Sequence, residues 1–178
     1  MKSILSGFLC REDEDIEYFL HEKAVEFEKL SKARTYLVCD EEQLEKGDAS
    51  SPLIIYGYIA VALKILTVPE TASNRLRKEL DGLSAKIHGE VINDFPCYLI
   101  GQLSRNSNVP SDSLSGAELI RFACDVIEQA VSAVGGRYMM IECHDDPHLI
   151  RFYEQNRFQE IARIPDEDKP MVQMIRKI

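Results

Sequence analysis

"CYLIGQLSRNSNVPSDSLSGAELIRFACDVIEQAVSAVGG", residues 97–136, reads as a strand, a loop and a helix in succession. The apolar and aromatic run 97–104 suits a strand. Gly101 inside it marks a bulge or the close approach of another backbone. Ser115 followed three residues later by Glu118 is a capping box, so a helix starts there. Ala117, Ile120, Cys124, Ile127, Val131 and Val134 then fall on one stripe, and Gly135-Gly136 ends it. A helix entered from a buried strand presents free backbone N–H groups and a partial positive charge, which is a site for phosphate. Gly116, in the first turn, would let a ligand come close. The same cap also serves helices that bind nothing.

Upstream, 12–32 opens with acids and spaces Ile16, Phe19, Leu20, Ala24, Phe27 and Leu30 at three or four residues, which predicts an amphipathic helix. "RTYLVCD", 34–40, follows as a strand. Residues 41–52 form a polar connection broken by Gly47 and Pro52, and 53–66 a long central strand. Residues 70–90 read as a helix capped by Ser73 and carrying Leu76, Leu80, Leu83 and Ile87. Downstream, "RYMMIEC" is a strand, 147–156 a short helix with Pro147 near its start, and 171–178 a last strand. A further strand is left open at the N-terminus. Meander strands followed by strand–helix–strand units predict an α/β (α+β mixed) fold: a central mixed β-sheet with helices on both faces, in a single domain spanning 1–178.

Composition narrows the function classes. The net charge is −9, and the one short basic cluster, "RLRK" at 75–78, suits a solvated helix face or a contact to an anionic ligand. Nucleic acid is therefore a disfavoured partner. No apolar run approaches the roughly 18 residues of a membrane span, and "MKSILSGFLCREDED" is a poor signal peptide, so a cytoplasmic protein with no membrane partner is expected. Five cysteines without a C-x-x-C fit reduced thiols. "ECHDDPH", 142–148, offers Cys143, His144 and His148 to a metal, but Pro147 interrupts them, and a polar strand-to-helix turn is the better reading; no metal is expected.

Residues 95–161 carry a family resemblance. "YLIGQLSRN", "SDSLSGAELI" and "LIRFYEQNRF" resemble the acetyl-coenzyme A half of the GNAT superfamily of N-acetyltransferases. There a strand, a pyrophosphate loop and a long helix are followed by a strand and a short helix bearing "FYE..GF". The N-terminal half is similar to members in which a first helix precedes a hairpin. The layout resembles the branch that includes toxins acetylating aminoacyl-tRNA. The loop departs from the family's Arg/Gln-x-x-Gly-x-Gly/Ala: with Gly116 on the last small position, Leu114 stands where a glycine is usual, and Asp112 brings a negative charge.

The resemblance implies acetyl-CoA as acetyl donor and direct attack by a primary amine in a ternary complex. It implies that Leu103, Ser104 and Arg105 hold the acetyl carbonyl and pantetheine arm. Ser111, Asp112, Ser113, Leu114, Ser115, Gly116 and Ala117 would surround the pyrophosphate, with Arg105 or Arg121 offsetting Asp112. Asp146 stands where many relatives carry Asn. Tyr153 stands at the family's general acid, a role its chemistry suits, since a phenol of pKa near 10 is protonated at neutral pH. For a base the chain offers Glu142, His144, Asp145 or water, and strand alternation leaves the direction of Glu142 open. The acceptor is the amine of a small molecule, a peptide or an aminoacylated carrier. A toxin acting on aminoacyl-tRNA and a non-catalytic binding module with a degenerate loop are the alternatives, and a homodimer is left open.

Overall fold

The computed structural model describes residues 2–40, 43, 53–165 and 169–178. The polar connection expected over 41–52 lies, except for Gln43, outside the described residues. The six-stranded sheet has the order β1-β2-β5-β6-β8-β7, with β1 at Arg34–Cys39, β2 at Ile55–Thr67, β5 at Asp94–Arg105, β6 at Tyr138–His144, β7 at Gln159–Ile164 and β8 at Met171–Lys177. β5 and β6 are parallel at Tyr98↔Met139 and Leu99↔Met140; the β1–β2, β6–β8 and β7–β8 pairs are antiparallel. The expected mixed sheet is therefore present. β7 was not foreseen: Gln159, Glu160 and Arg163 give it the look of a loop, and β8 pairing holds it as a strand.

Two compact units divide the chain, one of residues 1–62 and 100–126, the other of 63–99 and 127–178. The first holds α1 (Lys2–Leu5) where the sequence left a strand open. Its expected helix over 12–32 forms as three consecutive pieces: α2 (Glu14–Tyr18) capped by Asp13, a π-helical turn at Phe19–Lys23, and α3 (Ala24–Lys29). Its core gathers Leu5, Phe8, Leu20, Ala24, Ile55 and Tyr58, and Phe8 meets Tyr58 edge-on at 5.1 Å. Asn106, 4% exposed, ties this unit together. Its Nδ2 donates to the carbonyls of Ile55 (2.7 Å) and Gly7 (3.2 Å), while its Oδ1 accepts from Leu9 (3.1 Å) and Asn108 (2.9 Å). Nothing in "RNSN" signals that role.

In the second unit, α4 is Asn74–Asp81, shorter than the helix expected over 70–90. Ser73 caps it as expected, with Oγ 3.1 Å from the Leu76 N–H. Gly82 then takes φ +89° and returns its N–H to Lys78 O, a left-handed stop that costs glycine little. Beyond it, β3 (Lys86–Ile87) and β4 (Glu90–Val91) make a two-stranded hairpin, and Leu83 and Ile87 are exposed. The basic cluster is also corrected in part. Arg77 is buried, its guanidinium turned onto backbone carbonyls, because it sits between Leu76 and Leu80 on the inward face of α4. Leu80 packs with Tyr138, Met140 and Ile175 on one face of the sheet. α6 (Pro147–Gln155) lies on the other face, where its Tyr153 neighbours Cys143. This unit thus carries helices on both faces. The remaining helix, α5 (Gly116–Val134), starts in the first unit and ends in the second. No helix among the described residues is long and apolar enough to cross a membrane.

Candidate active site

The loop between β5 and α5 is held by its own residues. Arg105 Nη1 donates to the carbonyls of Ser111 (2.7 Å) and Leu114 (3.4 Å), drawing the loop around one guanidinium. Leu114 turns inward and is 5% exposed. Its Cδ2 fills the space over Gly57 of β2, where an added Cβ would lie 2.7 Å from Leu114 and 2.9 Å from the Ser104 carbonyl. Leu114 is therefore a core anchor and leaves the solvent side of the loop open. Ser111, Asp112 and Ser113 stay exposed there, while Leu103 and Ser104 are half-buried on β5. Gly57→Ala should cost about 1–3 kcal/mol, because the carbonyl it meets belongs to a strand that cannot shift alone. A melting curve of the variant checks this, and its midpoint is expected to fall.

At the head of α5 the capping box forms as expected. Ser115 N and Oγ both donate to Glu118 Oε2 (2.8 and 2.7 Å), and the Glu118 N–H returns to Ser115 Oγ at 3.2 Å. The side-chain hydrogen bond from Ser115, then the backbone one, hold the Glu118 carboxyl below its ordinary range. Ser115 thus spends its hydroxyl proton on Glu118. The donors left facing outward are the Gly116 and Ala117 N–H groups, the exposed serines and the Arg105 guanidinium, a set that fits an anion such as a pyrophosphate. Asp112 opposes it, and Arg105 is the cation nearest to hand in the loop.

Tyr153 stands on α6. Its ring meets Phe152 at 5.0 Å and Phe158 at 5.8 Å, both edge to face. Its hydroxyl forms no hydrogen bond with a described residue. Burial first, and the neighbouring Cys143 thiol second, push the phenol far above its ordinary value. Asp146 caps the helix beneath it, its Oδ1 accepting from His148 N (2.7 Å) and Leu149 N (3.2 Å), and Pro147 occupies the first turn. The helix stops on Arg157, whose φ is +68° while the Phe158 N–H reaches back to Tyr153 O at 3.0 Å. That is a glycine conformation occupied by arginine, at the place where the family word has its Gly. Arg157→Gly should raise stability by about 0.5–1 kcal/mol, read as a higher midpoint in urea with an unchanged slope.

Glu142 sits on the face of β6 opposite Cys143, hence opposite Tyr153. Lys64 Nζ approaches its Oε2 to 2.5 Å and Gln173 Nε2 its Oε1 to 2.8 Å. Both oxygens are engaged. Asp145 accepts from Arg163 at 2.7 Å, and His148 is exposed. Cys143 is buried, its thiol pushed up to about 11, first by burial and then by Asp145. No group of three or more potential metal ligands occurs among the described residues.

A groove of about 590 Å³ lies in the first unit, alongside α2 and the π-turn. Glu14, Glu17, Glu22, His21 and the largely exposed ring of Tyr18 line it. Sequence reading missed it, since a run of acids on an amphipathic helix looks the same whether it faces bulk water or a groove.

No protein-family model and no curated protein matches the chain. Solved structures do. A Tyr-to-Phe mutant of KacT aligns with a TM-score of 0.66 at 19% identity, covering 95% of this chain and 85% of that one. AtaTR bound with AcCoA gives 0.64 at 19% identity, over 95% and 84%. AtaT complexed with acetyl-methionyl-tRNAfMet gives 0.64 at 18% identity, over 94% and 85%. The protein has the GNAT fold. In the GNAT layout, β5, the loop after it and α5 take the places of the strand, loop and long helix, and β6 with α6 those of the strand and short helix that follow. At such identity the fold is what is shared, and chemistry has to be argued from this chain's own side chains.

Proposed function

We propose that the protein is a cytoplasmic N-acetyltransferase that moves an acetyl group from acetyl-CoA to a primary amine by direct attack in a ternary complex. The observation that carries this reading is the place of Tyr153 on the short helix after β6 of a GNAT fold, its hydroxyl without a hydrogen-bond partner among the described residues. Acetyl-CoA bound at the start of α5 would supply an activated thioester. Arg105, the Gly116 and Ala117 N–H groups and the exposed Ser111 and Ser113 hold the negative charge of its pyrophosphate, with Leu114 anchoring the loop from inside. Backbone N–H groups of residues 103–105 point a dipole at the acyl oxygen as charge develops there. Tyr153 gives its proton to the departing sulfur. Asp146 acts through the cap that fixes the start of α6. The amine's proton leaves to water, since Glu142 lies on the face of β6 opposite Tyr153 with both oxygens engaged by Lys64 and Gln173.

The acidic groove beside α2 favours a cationic amine as acceptor. A second reading, acetylation of an aminoacyl-tRNA, is favoured by the likeness to AtaT complexed with acetyl-methionyl-tRNAfMet. The −9 charge and the same groove oppose it. Calorimetric titration with acetyl-CoA, followed by thiol release with polyamines, peptides and charged tRNA, tests both. Heat on binding and thiol release with a small or peptide amine is the expected result. Release confined to charged tRNA, falling steeply with salt, would select the second reading. No heat and no release would leave a binding module with the GNAT fold.

A further inference from the structure

Lys64 carries a primary amine across the sheet. β2 and β6 are not neighbours, since β5 runs between them, yet Lys64 Nζ reaches Glu142 Oε2 at 2.5 Å. By strand alternation both side chains share the face of Leu66 and Met140. Gln173, opposite Glu142 on β8, holds the other oxygen at 2.8 Å. The pair is half-open: the side chains of Lys64 and Glu142 keep 37% and 22% exposure. Such an ion pair contributes little to stability, so the fold alone is a weak reason for an amine at this place. β5 and β6 pair at Tyr98↔Met139 and Leu99↔Met140, and no pairing with β5 continues over Ile141–His144. Glu142 therefore stands on a free stretch of β6, with Lys64 on its own face and Cys143 and Tyr153 on the other. An amine and a phenol flank this stretch from opposite sides.

We propose that Lys64 is a self-acetylation site, its Nζ taking the acetyl group of acetyl-CoA bound to the same chain. This rests on the acetyltransferase reading above, which brings the thioester to the free stretch of β6. Acyl transfer needs a neutral amine on one side of the carbonyl and a proton for the sulfur on the other, which is the disposition of Lys64 and Tyr153. Glu142 is engaged by Lys64 and so is no base for an outside amine, but it already touches this one. The Lys64 ammonium gives one proton to Glu142. The neutral nitrogen attacks the acyl carbon, the C–N bond forms as the C–S bond breaks, and Tyr153 protonates the sulfur. The nitrogen's second proton returns to Tyr153 through water. Acetyl-lysine, the free thiol of coenzyme A and one proton on Glu142 result, with nothing oxidised or reduced. Once acetylated, the side chain carries no positive charge, and Glu142 keeps Gln173 alone of the two partners.

The full chain, incubated with acetyl-CoA and no acceptor, is digested and read by mass spectrometry, with thiol release to added amines measured on the same samples. One acetyl group on the peptide carrying Lys64 is expected, with a rate constant independent of protein concentration, as a reaction within one chain requires. Glu142→Gln and Tyr153→Phe should each lower that rate at least about tenfold, while slow acetylation of the exposed Lys29 and Lys177 stays as it was. Lys64→Arg should remove the modification without moving it to another lysine. Should Glu142→Gln fail to fold, Tyr153→Phe and the concentration series decide alone. Thiol release to added amines with Lys64 left unmodified would overturn the proposal and keep the acetyltransferase reading; neither release nor modification would overturn both. A rate at Lys64 that the variants share with the wild type, or that rises with protein concentration, would mean uncatalysed or intermolecular transfer and overturn it as well.

Discussion

Replacing Tyr153 with Phe is expected to lower turnover by about 10²–10⁴-fold, with acetyl-CoA affinity little changed. The hydroxyl has no hydrogen-bond partner among the described residues, so its loss leaves no orphaned group behind. Nor is the hydroxyl among the buried polar atoms left without a partner, so it keeps access to water and its removal costs the fold little. The Phe variant should therefore melt at the same temperature as the wild type. A purely structural tyrosine would give the reverse pattern, lower stability and normal turnover. The pH profile gives a third readout. A general acid must be protonated, so its activity is lost as pH rises through its pKa. Because burial raises the Tyr153 pKa, this group imposes no fall in wild-type turnover below about pH 10. The rising limb at lower pH belongs to the amine, which attacks only when neutral. Stopped-flow thiol release across pH 6–10, beside calorimetry and melting curves, checks all three.

The parts of this molecule legible in its sequence are those where local signals and burial agree. Ser115 and Glu118 mark the start of α5 and bond reciprocally; Ser73 and Asp146 cap the helices they precede. Periodicity over 117–134 and the strands flanking it follow from the same arithmetic. What was misread depends on atoms distant in sequence. Leu114 stands where the family's loop usually has a glycine, and the sequence alone sets it beside the phosphates. Gly57, more than fifty residues away, opens the space that takes it inward. Glu142 looked equally able to face Tyr153 or turn from it, and the register of β6 against β8 decides for the far face, beside Gln173. The helix expected to run to residue 90 continued through Gly82 because Leu83 and Ile87 kept its period; the left-handed φ at Gly82 ends that period. The candidate site was legible as residue types, and its geometry was not.

Arg77 was legible and overlooked: it shares the helical face of Leu76 and Leu80, a position at which a basic residue must be buried or break the pattern. The structure buries it to 2% exposure, and among the described residues no carboxylate forms an ion pair with it. Its guanidinium donates from Nε to Ile92 O and Asn93 Oδ1 (both 3.1 Å), from Nη2 to Pro69 O, Glu70 O (both 3.0 Å) and Asn93 Oδ1 (2.9 Å), and from Nη1 to Ala72 O. One planar fork thus knots the entry to α4 onto the segment leading into β5. Arg77→Met should cost about 3–5 kcal/mol, since the apolar chain fills the volume but leaves the carbonyls of Pro69, Glu70, Ala72 and Ile92 without their donor. That is a large share of the 5–15 kcal/mol that holds a typical domain, and corresponds to a fall in melting temperature of roughly 10 °C for a chain of this size. Arg77→Lys should rescue little of it, because one ammonium cannot reach carbonyls spread around a planar group. Urea melts of the two variants distinguish charge from geometry. A lysine variant as stable as the wild type would mean that a positive charge suffices. Equal losses would assign the stability to the fork.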